Sequence, residues 1–506
     1  MKRVFAFILC VIMLLSAFTG CSNKQAATKP TGSSQGGNST APADPTQQDL
    51  TLTYYPNKSM NPYSATDYTN RVLFSLIYQG LFSIDRNYQV EPVLCKSYRV
   101  SADSRTYVFY LEKATFSDGD RITAQDAVAS LQRAKTSTYY SGRFTHITDI
   151  SLTEDDGVQI KLDTAYENLP LLLDIPIVKA EEVDAASPLG TGPYMLDSSG
   201  MTTRLRRTQW WCEADLAVTA SAVNLVEATD NTQIKDNFQY NGLDMICANP
   251  SSDLFSKPRC DYELWSSENG NFLYLACSAD SRVLRGELRA ALTYAIDRET
   301  LASDTYRGFA QVATLPASPK FPYYSQALAK RYAYDPERFA QAVADAGMTD
   351  AHVVLLVNAD DSLRVRAAEA IALMLEEGGL DVTISRKKGN AYQNAVRMRE
   401  YDLYLGQTRL SPNMDLSPFF STWGDLSYGG VNNASAYALC LKALDNYGNY
   451  YTLHSNVMEN GLLCPVLFQN YAIFTTRGEL TGLTPARDNI FYYSLGKTMA
   501  DARITQ

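Results

Sequence analysis

The chain has 506 residues, of which 45% are hydrophobic and 20% charged, with a formal net charge of −10. That balance excludes a fibrous or disordered body, and the acidic charge argues against a nucleic-acid surface, which needs a basic patch. The length is too great for one ordinary core, so more than one domain is expected.

Residues 1–20 read as an export signal. Lys2 and Arg3 form the charged end, and residues 4–18 are an uncharged apolar run. That run is shorter than the ~20 apolar residues needed to span a bilayer. It ends at Phe18-Thr19-Gly20-Cys21-Ser22, which resembles a lipoprotein cleavage box and predicts lipidation of Cys21. Two or more acyl chains give a stable anchor, since each buried CH₂ contributes roughly 0.8 kcal/mol. Residues 22–48 hold almost no large apolar side chain and many Ser, Thr, Gly, Pro and Gln. They read as a tether reaching about 30 Å, from roughly 5–6 Å times the square root of residue number. No second apolar run is long enough to cross a membrane.

Thr51 to Tyr55 is a short β-rich run. After the Asn61-Pro62 turn, residues 71–78 form an amphipathic pattern with Val72, Leu73, Leu76 and Ile77 on one face, stopped at Gly80. Strands are expected over 97–100 and 106–111, separated by Ala102, Asp103 and Ser104. Asp118-Gly119 makes a tight turn, and Thr123 caps a helix with Asp126 able to bond back to it. Residues 147–152 and 158–162 alternate as a hairpin about Asp155-Asp156-Gly157. Gly190-Thr191-Gly192-Pro193-Tyr194 lacks the Lys-Ser/Thr of a phosphate loop and reads as a turn into a strand at 194–196. Residues 204–211, with three arginines and two tryptophans, read as packed aromatics with solvated charges.

Residues 284–296 are an amphipathic helix with Leu284, Leu288, Ala291, Leu292 and Ala295 inward. Asp335-Pro336 starts another, which Gly347 ends. Residues 352–357, 363–377 and 380–385 give strand, helix, strand, so a parallel pair is expected. Of nine cysteines, Cys10 lies in the signal and Cys21 at the lipid site, leaving seven. An odd number leaves at least one thiol free, and the default is small buried hydrophobes. No C-x-x-C spacing exists and His146, His352 and His454 lie far apart, so neither a metal nor another cofactor is expected. No Ser/His/Asp order, HExxH or Gly-rich nucleotide loop argues for bond-breaking chemistry.

Several stretches together resemble the family 5 extracellular solute-binding proteins, the oligopeptide, dipeptide and nickel-binding components of ABC importers. They are Asn61-Pro62-Tyr63, Tyr78-Gln79-Gly80-Leu81-Phe82, Tyr98 to Ser104, Tyr107-Val108-Phe109, Phe116 to Gly119, and Thr123 to Ala127. Further on come Gly190 to Tyr194, Gly242 to Asp244, Phe272 to Ser278, Arg289 to Arg298, Tyr334 to Gly347, and Tyr401 to Gln407. Gln79 replaces the family's usual acid, Ser104 its turn glycine, and Cys277-Ser278 its Phe-Asn.

The resemblance implies an α/β fold of the two-lobed periplasmic-binding-protein type (type II, cluster C), with mixed sheets and an extra subdomain. It divides the chain into a signal (1–20), lipidated Cys21 with linker (21–48), a discontinuous domain I (49–82, 190–270, 471–506), a domain II subdomain (83–189) and domain III (271–470). It makes Tyr54, Tyr55 and Asn57 candidate ligand contacts, against an equal reading as core or surface side chains. Gln407 is a further candidate ligand contact, and the loop 408–423 after it becomes the recognition site, with Asp415 holding a peptide amino terminus by a charge-assisted hydrogen bond. Arg409 is a second candidate, for an acidic ligand group, and Trp423 and Tyr428 are candidates to pack on ligand side chains.

The implied function is the non-enzymatic receptor of an ABC importer, a monomer held to the membrane through Cys21. It would close two lobes on a peptide and deliver it to permease subunits with cytoplasmic ATPases. The alternatives are a receptor for a metal chelate or glycoside, and a peptide-sensing lipoprotein not coupled to import.

Overall fold

The computed structural model describes residues 50–210, 220, 222–476, 483, 485–487 and 489–491. The signal, Cys21, the linker, Trp211, Cys212 and most of residues 477–506 lie outside the described residues. Among the described residues no helix is long and apolar enough to cross a membrane.

Two long antiparallel strands, Tyr262–Cys277 and Cys464–Thr476, organise the molecule. One pair of ends joins Met245–Ala248. The other continues sideways through Leu403–Arg409, His352–Asn358 and Asp381–Lys387, while Ala310–Val312 lies on Cys464–Thr476. Pairing slips between Glu268 and Phe272, where Gly270 takes φ +74, a region that glycine enters without a Cβ penalty. Beyond that slip Phe272, Tyr274 and Ala276 enter one core while Leu273, Leu275 and Cys277 enter another. The period-two alternation therefore packs both faces of this sheet.

A four-stranded sheet runs Leu50–Tyr54, Ala222–Glu227, Arg204–Arg207, Tyr194–Asp197, its first pair parallel. An antiparallel sheet runs Cys95–Val100, Thr106–Leu111, Val158–Leu162, Ile147–Leu152. The second sheet has no core of its own: Phe109, Phe116 and Val158 share one continuous apolar cluster with Leu52, Tyr194 and Val223.

Local chemistry fixes many of these elements. Thr123 and Asp126 make the reciprocal capping box of the helix Ala124–Ala134, satisfying donors that a helix start leaves open. Asp335 caps Pro336–Asp345, which has proline in its first turn. His352–Asn358 and Asp381–Lys387 pair in parallel on either side of the helix Ser362–Glu377. Ser104 adopts φ +54, the strained conformation for which the family pattern supplies glycine.

Two expectations need correction. The helix expected over 71–78 breaks at Leu73 into Tyr68–Val72 and Phe74–Ile77. Its first turn is tied elsewhere: the buried Asn70 amide bonds both N and O of Tyr55, and Arg71 donates to the carbonyls of Pro62 and Ala65. The Phe272 to Ser278 stretch, which the family resemblance marks as a strand, is the end of a longer one that begins at Tyr262, because the polar run Ser267 to Gly270 is buried and bonded to other segments. Ser267 donates to Ala486 O at 2.8 Å, and the Glu268 carboxylate accepts from the hydroxyls of Tyr88 and Ser318. Ser417, His146 and Asp163, which are not apparent as a group in sequence, come into contact, as described below. The cysteines Cys95, Cys247, Cys260, Cys277, Cys440 and Cys464 are all free, and only Cys260 is not fully buried.

Candidate functional site

A cleft of about 970 Å³ opens between residues 135–146 with Asp163 on one wall and the loop 408–426 on the other, with Arg487 also lining it. The first wall continues the capped helix Ala124–Ala134 into the single turn Ser141–Phe144. The second follows the strand Leu403–Arg409, whose pairing with Asn271–Cys277 aims Arg409 at the cleft rim.

Cations and aromatic rings alternate here. The Arg409 guanidinium lies 4.0 Å from the centre of the Tyr139 ring, and that of Arg71 lies 3.2 Å from the same ring. Such contacts strengthen where water is excluded. Arg409 also donates through Nε to Asn269 O at 3.3 Å. Arg143, which is buried, forms an ion pair with Asp174, and Arg487 donates to Leu410 O.

Asp415 is buried where the walls meet. Its Oδ1 accepts from the Ser417 amide at 2.8 Å and its Oδ2 from the Ser417 hydroxyl at 2.8 Å, with His146 Nε2 3.6 Å away. His146 in turn spans the cleft: Nε2 is 2.9 Å from Ser417 Oγ and Nδ1 2.9 Å from Asp163 Oδ1. Burial first, and the Asp415 charge second, pushes the Tyr166 phenol and the Cys440 thiol well up.

The Asp163, His146, Ser417 spacing is that of a serine-hydrolase relay, yet the arrangement does not make a nucleophile. Ser417 is 1% exposed, and both its hydroxyl and its amide are committed to Asp415. An acyl-transfer site needs that hydroxyl free to attack and amides free to receive the oxyanion.

The other predicted residues are scattered. Trp423 is 93% exposed at the cleft rim. Gln407 is not among the residues lining the cleft; it accepts from Gln469 Nε2 at 2.6 Å, linking two strands of the central sheet. Tyr428 is half-buried against the core behind the loop. Tyr54, Tyr55 and Asn57 do not line this cleft. The Tyr54 hydroxyl donates to Glu227 and that of Tyr55 to Asn231, with both phenols pushed up by burial, while Asn57 is exposed in the turn beyond. Sequence reasoning missed His146, Asp163, Arg143, Arg487 and Ser417. His146 and Ser417 are 271 positions apart, and no local pattern signals such a contact. Among the described residues no group of three or more His, Cys, Asp or Glu side chains is placed to hold a metal ion.

Comparison with known proteins agrees with this architecture. Residues 89–430 match the family model of bacterial extracellular solute-binding proteins, family 5 Middle. The glutathione-binding protein GsiB of Salmonella paratyphi A is 25% identical over 310 residues, covering 58% of this chain and 60% of that protein. The match thus spans about 60% of the length of that curated relative. The ABC transporter substrate-binding protein CtaP of Listeria monocytogenes superposes with a TM-score of 0.72 at 19% identity, covering 89% of this chain and 99% of that one. The oligopeptide-binding protein AppA of Bacillus subtilis, solved with a nonapeptide, gives 0.63 at 18% identity, covering 89% and 98%. The fold is therefore that of the periplasmic binding proteins, a mixed α/β architecture with several sheets. With the model matched over most of its length, the chain belongs to the bacterial extracellular solute-binding proteins, family 5.

Proposed function

We propose that the protein is the substrate-binding component of an ABC importer, that it captures short peptides in the cleft between residues 135–146 and 408–426, and that it is a binder and not an enzyme. The observation that carries this reading is a pairing of opposite charges. Asp415 and Arg409, from a single loop, border one cleft of about 970 Å³, near the upper end of the roughly 300–1,000 Å³ usual for small-ligand sites. A short peptide is a zwitterion with a hydrogen-bonding main chain, and the two side chains complement its two ends. Asp415 would take the ammonium and Arg409 the carboxylate, each through a charge-assisted hydrogen bond.

Closure would occur about the slip in the long strands at Glu268 to Phe272, where Gly270 supplies the freest backbone. Shutting the cleft removes water and strengthens every polar contact inside. The glutathione bound by the GsiB relative and the nonapeptide in the AppA structure support a peptide-like ligand. Cys21 would carry the lipid that holds the mature, monomeric protein beside its permease, which passes the peptide inward with the help of cytoplasmic ATPases.

Calorimetry with a pool of di- to pentapeptides tests the reading. Saturable heat and recovery of intact peptide are expected. Absence of heat and of any thermal shift with every peptide overturns it in favour of a non-peptide solute, and cleavage products overturn the binder. Loss of labelled-peptide uptake on deletion of the gene separates import from sensing.

A further inference from the structure

We propose that Asp163, His146, Ser417 and Asp415 form a latch that fastens the two walls of the cleft, so that closure is stabilised by the protein itself as well as by its ligand. The proposal rests on the reading of the cleft as a ligand site that opens and shuts. Asp163 and His146 stand on one wall, Ser417 and Asp415 on the other. The His146 ring reaches across, 2.9 Å from Asp163 Oδ1 on its own side and 2.9 Å from Ser417 Oγ on the other.

Three features mark it as a closing contact and not a general packing contact. His146 is 3% exposed and Ser417 1%, so separating the walls would hydrate groups that are dry when shut. Ser417 opens a single helical turn with proline next in line, and its amide and hydroxyl clamp both oxygens of Asp415. The carboxylate is thereby held beside His146 Nε2, at 3.6 Å. A nearby contact joins the same two walls: the Ser411 hydroxyl donates to Gly142 O at 3.0 Å. These groups would part together when the walls separate.

In this reading His146 is a positioning residue. It touches no ligand, and it sets the orientation of Asp415 and the equilibrium between open and shut forms. Breaking one hydrogen bond to a charged partner changes an equilibrium by roughly tenfold or more.

The test compares wild type with His146→Ala, His146→Gln and Asp163→Asn, with thermal midpoints measured to verify folding. Hydrogen exchange at the Ser417 amide is followed in the ligand-free protein, and release of the peptide pool by stopped-flow fluorescence. His146→Ala is expected to raise Ser417 exchange and peptide release about tenfold each, with association unchanged and His146→Gln intermediate. Wild-type exchange and wild-type release in folded His146→Ala overturn the latch. If no peptide binds even the wild type, the peptide reading falls, and the Ser417 exchange rate alone then decides: acceleration in His146→Ala supports the latch and an unchanged rate overturns it.

Discussion

Gly192 presses its main chain onto that of Ile77: its amide donates to the Ile77 carbonyl at 2.9 Å, and a β-carbon on Gly192 would stand 2.6 Å from the Ile77 carbonyl carbon. This contact explains the Gly190-Thr191-Gly192 turn, which packs the chain entering the strand Tyr194–Asp197 against the short helix Phe74–Ile77. The opposing atoms are backbone and cannot swing aside. Gly192→Ala should therefore destabilise by about 1–3 kcal/mol, the usual cost of overpacking. Urea denaturation checks it, a lower midpoint at unchanged slope being expected.

Arg298 shows what the Ile-Asp-Arg stretch after the helix Gly286–Ala295 is for. Asp297 caps the turn Arg298–Thr300. The buried Arg298 fork donates to the carbonyls of Pro465, Thr293 and Ile296 and to the Thr293 hydroxyl at 2.9–3.2 Å. It thereby pins the long strand Cys464–Thr476 to the helix. Arg298→Met leaves three carbonyls without their donor and should cost about 3 kcal/mol. Arg298→Lys should recover little of it, because an ammonium cannot reproduce the planar fork. Denaturant titration of both variants measures the effect.

Elements whose cause is local were legible in the chain. The capping box at Thr123, the hairpin about Asp155-Asp156-Gly157, the Asp335-Pro336 start and the parallel pair around the helix Ser362–Glu377 depend on neighbours within a few positions. Two features were not. The run Ser266 to Asn271 is polar and carries no strand pattern, yet it is strand, because Tyr88, Ser318 and Ala486 supply distant partners for its buried groups. The candidate site was half legible: the loop and its Asp415, Arg409 and Trp423 stood out through family resemblance. The opposite wall did not, since His146 gains its meaning only from contacts made after folding.

His454 gives a pH dependence. It is fully buried, neither ring nitrogen has a hydrogen-bond partner, and burial pushes its pKa down to about 3. The unfolded chain, with an ordinary histidine near 6.5, therefore binds this proton more readily than the native state does. Stability from this group is complete above pH 6.5 and is lost as pH falls from 6.5 towards 3, at about 1.4 kcal/mol per pH unit. His454→Leu should abolish that component. The difference between wild-type and variant stabilities, flat above pH 7, should favour the variant by about 2 kcal/mol more at pH 5.

Trp423 projects its ring from the rim of the cleft at 93% exposure. If it closes on the ligand, its emission should move to shorter wavelength when the peptide pool is added, because the indole leaves water. Trp423→Phe should remove that change and weaken binding about fivefold, in keeping with roughly 1 kcal/mol for an aromatic contact. A spectral change persisting in Trp423→Phe would assign it to another tryptophan and remove Trp423 from the site.

Blocked peptides separate the roles of the two charges on the loop. If Asp415 takes the ligand's ammonium and Arg409 its carboxylate, Asp415→Asn should weaken free-amine peptides by about 1.5–3 kcal/mol, the range for a charged hydrogen bond. N-acetylated peptides, which carry no ammonium, should bind Asp415→Asn and wild type alike. Arg409→Ala should discriminate in the opposite sense, against free carboxylates and not against C-terminal amides. Asp415 also bonds Ser417 and faces His146, so a purely structural role predicts a different pattern. Acetylated and free peptides would then lose affinity equally, because the penalty would fall on closing the cleft, whatever lies inside. Calorimetry of the two variants against the two blocked series reads these outcomes directly, and equal losses across both series would remove Asp415 from contact with the ligand.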